Sequence, residues 1–143
     1  TWAQDETSRG SYRYKLRRYT EDARDDKAHA LFVFRESDDA LVGGVTLSNI
    51  RRGVAQTASL GYWAGQMHTG NGYITAAVRA VVRYAFEDLD LHRVEAACQP
   101  DNAPSRRVLE KCGFTHEGIA RAYLKINGQW RDHLLFGIVN SGV

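Results

Sequence analysis

Two clusters in this 143-residue chain have residue types and spacings suited to chemistry. The first is Gly-Gln-Met-His-Thr-Gly-Asn-Gly-Tyr, residues 65–73, where Gly70 and Gly72 flank Asn71 directly before a long apolar-periodic run. The first turn of a helix carries N–H groups without intrahelical partners and the positive end of the helix dipole. A pyrophosphate satisfies both, and it must approach the backbone closely, which glycines permit. The dinucleotide spacing GxGxxG is not met, because Thr75 stands at its third glycine. No Gly-Lys-Ser/Thr phosphate loop is present either. Alone, the glycine pair reads as an ordinary loop more readily than as an anion site. The second cluster is Asp-Asn-Ala-Pro-Ser-Arg, residues 101–106, which puts Asn102 and Ser105 at the mouth of the next helix. Asn102 is at least a helix cap, worth about 1 kcal/mol, and capping leaves room for ligand binding.

The elements around these clusters can be read from pattern. Residues 5–27 are charge-rich, with Tyr12, Leu16 and Tyr19 on one helical face, and predict one or two amphipathic helices. "AHALFVFRE", "ALVGGVTLSNI" and "VAQTASLGYWA" predict three strands, the second weakened or bulged at Gly43 and Gly44. From Tyr73 to Leu89, residues Ile74, Val78, Val81, Val82, Ala85 and Leu89 share one helical face. "HRVEAACQ" predicts a strand stopped by Pro100. A short helix follows, with Pro104 near its start and Gly113 past its end. Asn127-Gly128 predicts the turn of a closing β-hairpin. The order argues for one α/β (α+β) domain over residues 1–143: a single mixed sheet with helices packed on it. Both helix starts, before Tyr73 and at Asn102, fall at the same edge of that sheet, where one anionic, amide-rich ligand can touch both.

Composition narrows the function classes. The formal net charge of +2 does not announce a nucleic-acid binder and does not repel an anionic ligand. "YRYKLRRY" mixes basic and aromatic residues, but "TEDARDD" follows at once, and an amphipathic helix accounts for it better than a nucleic-acid surface. No run approaches a membrane span. The five histidines form no HxxxH or HExxH pair, so no metal site is expected. Ser105 lacks a GxSxG elbow. Cys98 and Cys112 read as reduced structural thiols of a cytoplasmic protein.

The combination of "LGYWAGQMHTGNGY", "NAPSRRVLEKCGF" and a following "EG" resembles the GNAT family of N-acetyltransferases. It is most similar to the RimJ/RimL branch, which acetylates N-terminal residues of ribosomal proteins. The resemblance covers residues 31–138. The N-terminal strand and first helix of that fold are expected to be missing or to lie upstream of Thr1. It implies an acyl-CoA N-acyltransferase-type fold: a mostly antiparallel twisted sheet with a splayed central strand pair. It implies acetyl-CoA as co-substrate and a primary amine as acceptor, in a monomer or homodimer with no metal. By the resemblance, the backbone of Tyr62, Trp63 and Ala64 binds the pantetheine arm and the thioester carbonyl. The amides of Met67, His68, Thr69, Gly70, Asn71, Gly72 and Tyr73 hold the pyrophosphate. Asn102 bonds a pantetheine amide, Ser105 bonds or protonates the departing sulfur, and Arg106, Arg107, Arg79 or Arg83 reaches a phosphate. Two positions depart from the family: Met67 at the head of the loop, and Leu109 where many members carry a tyrosine acid.

An α-amino group with a pKa of about 7.7 to 8 is partly neutral near neutrality and needs modest base help, whereas a lysine amine at about 10.4 needs more. Glu95, Glu117, Asp132 and His133 are base candidates, and each is equally a surface charge. Three functions therefore stand: acetylation of a protein or peptide N-terminus, acetylation of a small amine (polyamine, amino acid or aminoglycoside), and an inactive acyl-CoA-binding sensor.

Overall fold

The computed structural model describes residues 2–5, 14–19, 28–65 and 72–141, with Leu16 the one side chain described in the first two segments. Its strands are β1 (Trp2–Asp5), β2 (Tyr14–Tyr19), β3 (His29–Arg35), β4 (Leu41–Arg51) and β5 (Thr57–Ala64). Helix α1 (Tyr73–Glu87), β6 (Arg93–Cys98), helix α2 (Ala103–Lys111), β7 (Thr115–Ile126) and β8 (Gln129–Val139) follow. Among the described residues the strands form one eight-stranded sheet in the order β1-β2-β3-β4-β5-β6-β8-β7.

The N-terminal expectation needs correction. Residues 14–19 form a strand paired antiparallel with β3, not a helix. Leu16 sits opposite Val33 and is 3% exposed. A helical period and a strand alternation are hard to separate over six residues, and pairing with a formed neighbour overrides local propensity. Tyr12 and residues 20–27 lie outside the described residues.

From β3 onward the elements follow from their patterns. Strand β3 alternates, burying His29, Leu31 and Val33. In α1 the predicted stripe faces the sheet, and Val78, Val81 and Ala85 are fully buried. Burying a valine contributes about 1.5–3 kcal/mol, so this stripe fixes the helix to the sheet. Helix α2 docks on α1 on the same face: Arg79 donates from Nη2 to the Lys111 carbonyl at 2.9 Å, and the Cys112 thiol donates to the Thr75 carbonyl at 3.4 Å. The Asn127-Gly128 turn has φ of 50° and 80°, the doubly left-handed geometry that matches strand twist in a two-residue hairpin. Strand β4 does bulge beside its glycines: Val33 faces Gly43 while Phe34 faces Leu41, leaving Val42 extra. No described helix is long and apolar enough to cross a membrane.

Strands β5 and β6 are parallel, joined through α1. Two parallel strands end at the same edge, so α1 and α2, which follow them, both start there.

Candidate active site

The pairing of β5 with β6 runs from Thr57↔Arg93 to Leu60↔Ala96 and stops. Strand β5 continues to Ala64 and stays paired with β4, Gly43 lying opposite Ala64 and Val45 opposite Tyr62. Strand β6 continues to Cys98, paired with β8 through Leu134. The sheet is therefore parted between Gly61–Ala64 and Ala97–Cys98, each lip held by its outer neighbour. Backbone groups on such lips have no ladder partner across the gap and can bind an extended, amide-bearing chain without reorganising.

Two glycines of β4 shape the β5 lip. A Cβ on Gly44 would sit 2.6 Å from the Trp63 indole nitrogen, so the indole lies over bare backbone there, half-exposed. A Cβ on Gly43 would sit 2.4 Å from the Trp63 carbonyl oxygen and 2.6 Å from Ile74 Cδ1. Gly43 thus lets the first turn of α1 close onto β4 and β5. Their role is close approach rather than weakening of the strand.

Gly72, at the start of α1, has φ of 80° and no side chain to cap the helix. Its left-handed backbone explains the glycine. Tyr73 and Ile74 are buried immediately after it, and the first turn of α1 holds no acidic residue. Met67, His68, Thr69, Gly70 and Asn71 lie outside the described residues.

At the start of α2, Asn102 Oδ1 accepts the Ser105 N–H at 3.1 Å. The cap uses the carbonyl end of the amide and leaves the NH2 end to donate outward. Ser105 meets Tyr62 from β5: its Oγ lies 2.6 Å from the Tyr62 hydroxyl, which also donates to the Ser105 carbonyl at 2.9 Å. Burial, opposed by the Ser105 hydrogen bond, pushes the Tyr62 phenol up to about 12. Burial also raises the Cys98 thiol at the end of β6, opposed by the Arg106 charge and by Ser105. Burial pushes Cys112 up to about 11. Both thiols are free, buried and protonated at neutral pH.

Tyr62, Ala64, Gly72, Tyr73, Asn102 and Ser105 thus gather around one edge. Arg106 is exposed in the first turn of α2, one residue beyond Ser105. Arg79 is tied through Nη2 to the Lys111 carbonyl at the end of α2. Leu109 is fully buried. The Tyr62 hydroxyl is the contribution that sequence reasoning missed. Its signal was the β5 alternation, which sets Tyr62 on the helix-facing side with Ala58 and Leu60.

The base candidates fall at two places: Glu95 and Glu117 lie by Arg93, Arg93 being at the far end of β6, whereas Asp132 and His133 stand on β8 just before Leu134, the partner of Cys98. Arg93 donates to both Glu117 oxygens, 2.9 Å for the Nη1–Oε2 bond, and lies 3.7 Å from Glu95. The pair rests over Gly137, where a Cβ would meet the Arg93 nitrogens at 2.6 Å. The Arg93 guanidinium holds the Glu117 carboxyl below its usual range. Asp132 accepts the N–H of Ala122, which bulges from β7 with φ of 46°. His133 is buried, its Nδ1 bonded to the Arg131 carbonyl at 3.0 Å. Among the described residues no cluster of ligands could hold a metal ion.

A family model described as "Acetyltransferase (GNAT) domain" matches residues 1–115. The chain belongs to the GNAT acetyltransferase family. It is 48% identical over 128 residues to "Probable N-acetyltransferase YjcK" of Bacillus subtilis, covering 90% of this chain and 71% of that one. It is 38% identical over 103 residues to the "[Ribosomal protein uS5]-alanine N-acetyltransferase" of Escherichia coli, covering 72% of this chain and 53% of the relative. Its fold matches "Mycobacterium smegmatis RimJ in complex with CoA-disulfide" with a TM-score of 0.80 and 37% identity, over 85% of this chain and 57% of that one. The chain thus spans 53% and 71% of the two curated relatives' own lengths.

Proposed function

We propose that this GNAT domain moves an acetyl group from acetyl-CoA to a primary amine, the N-terminal α-amino group of a protein or peptide in the cytoplasm. The observation that carries it is the parting of β5 from β6 beyond Leu60 and Ala96, with Asn102 and Ser105 at the same edge. The residues fit acetyl-CoA. The lip Tyr62-Trp63-Ala64 offers backbone donors and acceptors to the pantetheine arm, and the Asn102 NH2 faces outward to an amide carbonyl. Gly72 and Tyr73 open a helix whose first-turn amides suit a pyrophosphate, and the Met67 to Asn71 amides that precede them in the chain are assigned to the same contact by this reading. Bound there, the co-substrate supplies an activated acyl carbon.

The chain's own groups then do three things. The β5 lip steadies charge on the thioester oxygen through fixed N–H dipoles. Ser105 meets the sulfur. The acceptor needs only partial deprotonation, because an α-amino group with a pKa of about 7.7 to 8 is substantially neutral at cellular pH. This reading needs no carboxylate base: Glu117 is paired with Arg93, and Asp132 accepts the Ala122 N–H. Similarity to a ribosomal-protein-alanine acetyltransferase supports a protein N-terminus as acceptor.

The test is coenzyme A release from acetyl-CoA with peptides beginning in Ala or Ser, beside spermidine and free amino acids. Turnover restricted to the peptides is expected. Turnover on spermidine alone would replace the acceptor, and tight binding without transfer to any amine would make the domain a sensor.

A further inference from the structure

We infer that Tyr62 is a positioning residue for Ser105, and that the two hydroxyls form a reorientable donor for the leaving sulfur. The inference rests on the acetyl-CoA reading above. It starts from a chemical mismatch. A serine hydroxyl is a far weaker acid than a thiol of pKa about 8.5, so handing its proton outright to a thiolate is uphill. What Ser105 can do is donate a hydrogen bond, and that bond strengthens if its own oxygen accepts one at the same time.

Tyr62 makes this possible through two contacts. Its hydroxyl reaches both the Ser105 Oγ, at 2.6 Å, and the Ser105 carbonyl, at 2.9 Å. A carbonyl only accepts, while either hydroxyl can donate to the other, so two proton arrangements share one set of heavy-atom positions. In the first, Tyr62 donates to the carbonyl and Ser105 donates to Tyr62. In the second, Tyr62 turns its O–H to Ser105 Oγ, which frees the Ser105 proton for a third atom. Charge gathering on sulfur as the carbon–sulfur bond breaks favours the second arrangement. No side chain need move, and no proton leaves either residue. The thiolate formed takes its proton from the acceptor nitrogen, which must lose one to become an amide, or from water. Two further observations fit. Tyr62 is on the lip of the parted strands and Ser105 on the opposing helix, so the pair spans the gap. The position where many family members carry a tyrosine holds Leu109, sealed in the core.

The test reads the sulfur directly. Coenzyme A is bound to the protein and its thiol titrated by thiolate ultraviolet absorbance, in wild type, Tyr62→Phe, Ser105→Ala and the double variant. The bound thiol is expected below its free value. Tyr62→Phe should raise it by about half a unit to one unit, the size of a modest hydrogen-bond change. In the Ser105→Ala background Tyr62→Phe should add nothing, because its effect passes through Ser105. Equal shifts in both backgrounds, or none in either, would overturn the inference while leaving acetyl transfer by the wild type intact. Failure of the wild type to bind coenzyme A would instead overturn the acetyl-CoA reading and this inference with it. Phenylalanine keeps the ring that fills the site. Should Tyr62→Phe not fold, Ser105→Thr, which keeps a hydroxyl, should retain most of the thiol depression that Ser105→Ala loses, and equality of the two would refute the role.

Discussion

Replacing Gly43 with alanine tests how the β5 lip is built, because Gly61, on the paired strand β5, provides a control. At Gly43 the new Cβ falls 2.4 Å from the Trp63 carbonyl oxygen and 2.6 Å from Ile74 Cδ1. The isoleucine tip can rotate; the carbonyl is backbone and cannot yield without disturbing the β4–β5 ladder. Forcing a methyl into a filled site costs about 1–3 kcal/mol, and a backbone contact belongs at the upper end. Glycine-to-alanine exchange restores about 0.4–1 kcal/mol by restricting the unfolded chain. The net expectation for Gly43→Ala is a loss of about 2–2.5 kcal/mol. At Gly61 a Cβ meets nothing within 4 Å, and the backbone is not left-handed. Gly61→Ala therefore keeps the entropic gain alone, about 0.4–1 kcal/mol of stabilisation. Urea unfolding of both variants beside wild type, read as midpoint and slope, measures the difference. Acetyl-CoA affinity should fall for Gly43→Ala as the Trp63 backbone shifts. A Gly43→Ala protein as stable as Gly61→Ala would refute the claim that the lip is set by close approach at Gly43.

Ser105→Ala should lower kcat about tenfold or more while changing KM little, since the lost contact strengthens only as charge reaches the sulfur; steady-state kinetics with the preferred acceptor checks this. Gly72→Val should abolish acetyl-CoA binding by calorimetry, because a β-branched residue is strained at φ of 80° beside the expected pyrophosphate, while far-ultraviolet circular dichroism stays near wild type. The Arg93–Glu117 pair should give pH-dependent stability. Glu117 has a folded pKa below its unfolded value, so its contribution is present above the ordinary glutamate range and is lost as pH falls through the folded value. Glu117→Gln should flatten urea midpoints over that acidic range and change turnover little at neutral pH; a large turnover loss would restore Glu117 as a base.

Much of this was legible in the chain because local signals and tertiary demand agreed. The α1 stripe, the punctuation of α2 by Pro104 and Gly113, and the Asn127-Gly128 turn each specify one geometry. The family resemblance rested on the joint spacing of two helix mouths, which the parallel pairing of β5 and β6 brings to one edge. Tyr14–Tyr19 misled because six residues carry too little periodicity to reject a strand. The Tyr62–Ser105 contact joins residues 43 apart in sequence, and Arg93–Glu117 joins residues 24 apart. No local pattern announces either. Gly43 and Gly44 carried a signal, but loose strand and tight approach look alike until the neighbour is known.

Strand β8 lies between β6 and β7, although β7 precedes it in the chain. The far lip of the cleft, Ala97 and Cys98, is therefore braced by Leu135 and Leu134 of a segment near the C-terminus. The tight turn at Asn127-Gly128 closes the hairpin beyond Leu134, on the cleft side of the sheet, and sets the register in which that brace is delivered. Sequence drift in the terminal hairpin can thus retune the stiffness of that lip without changing Asn102 or Ser105.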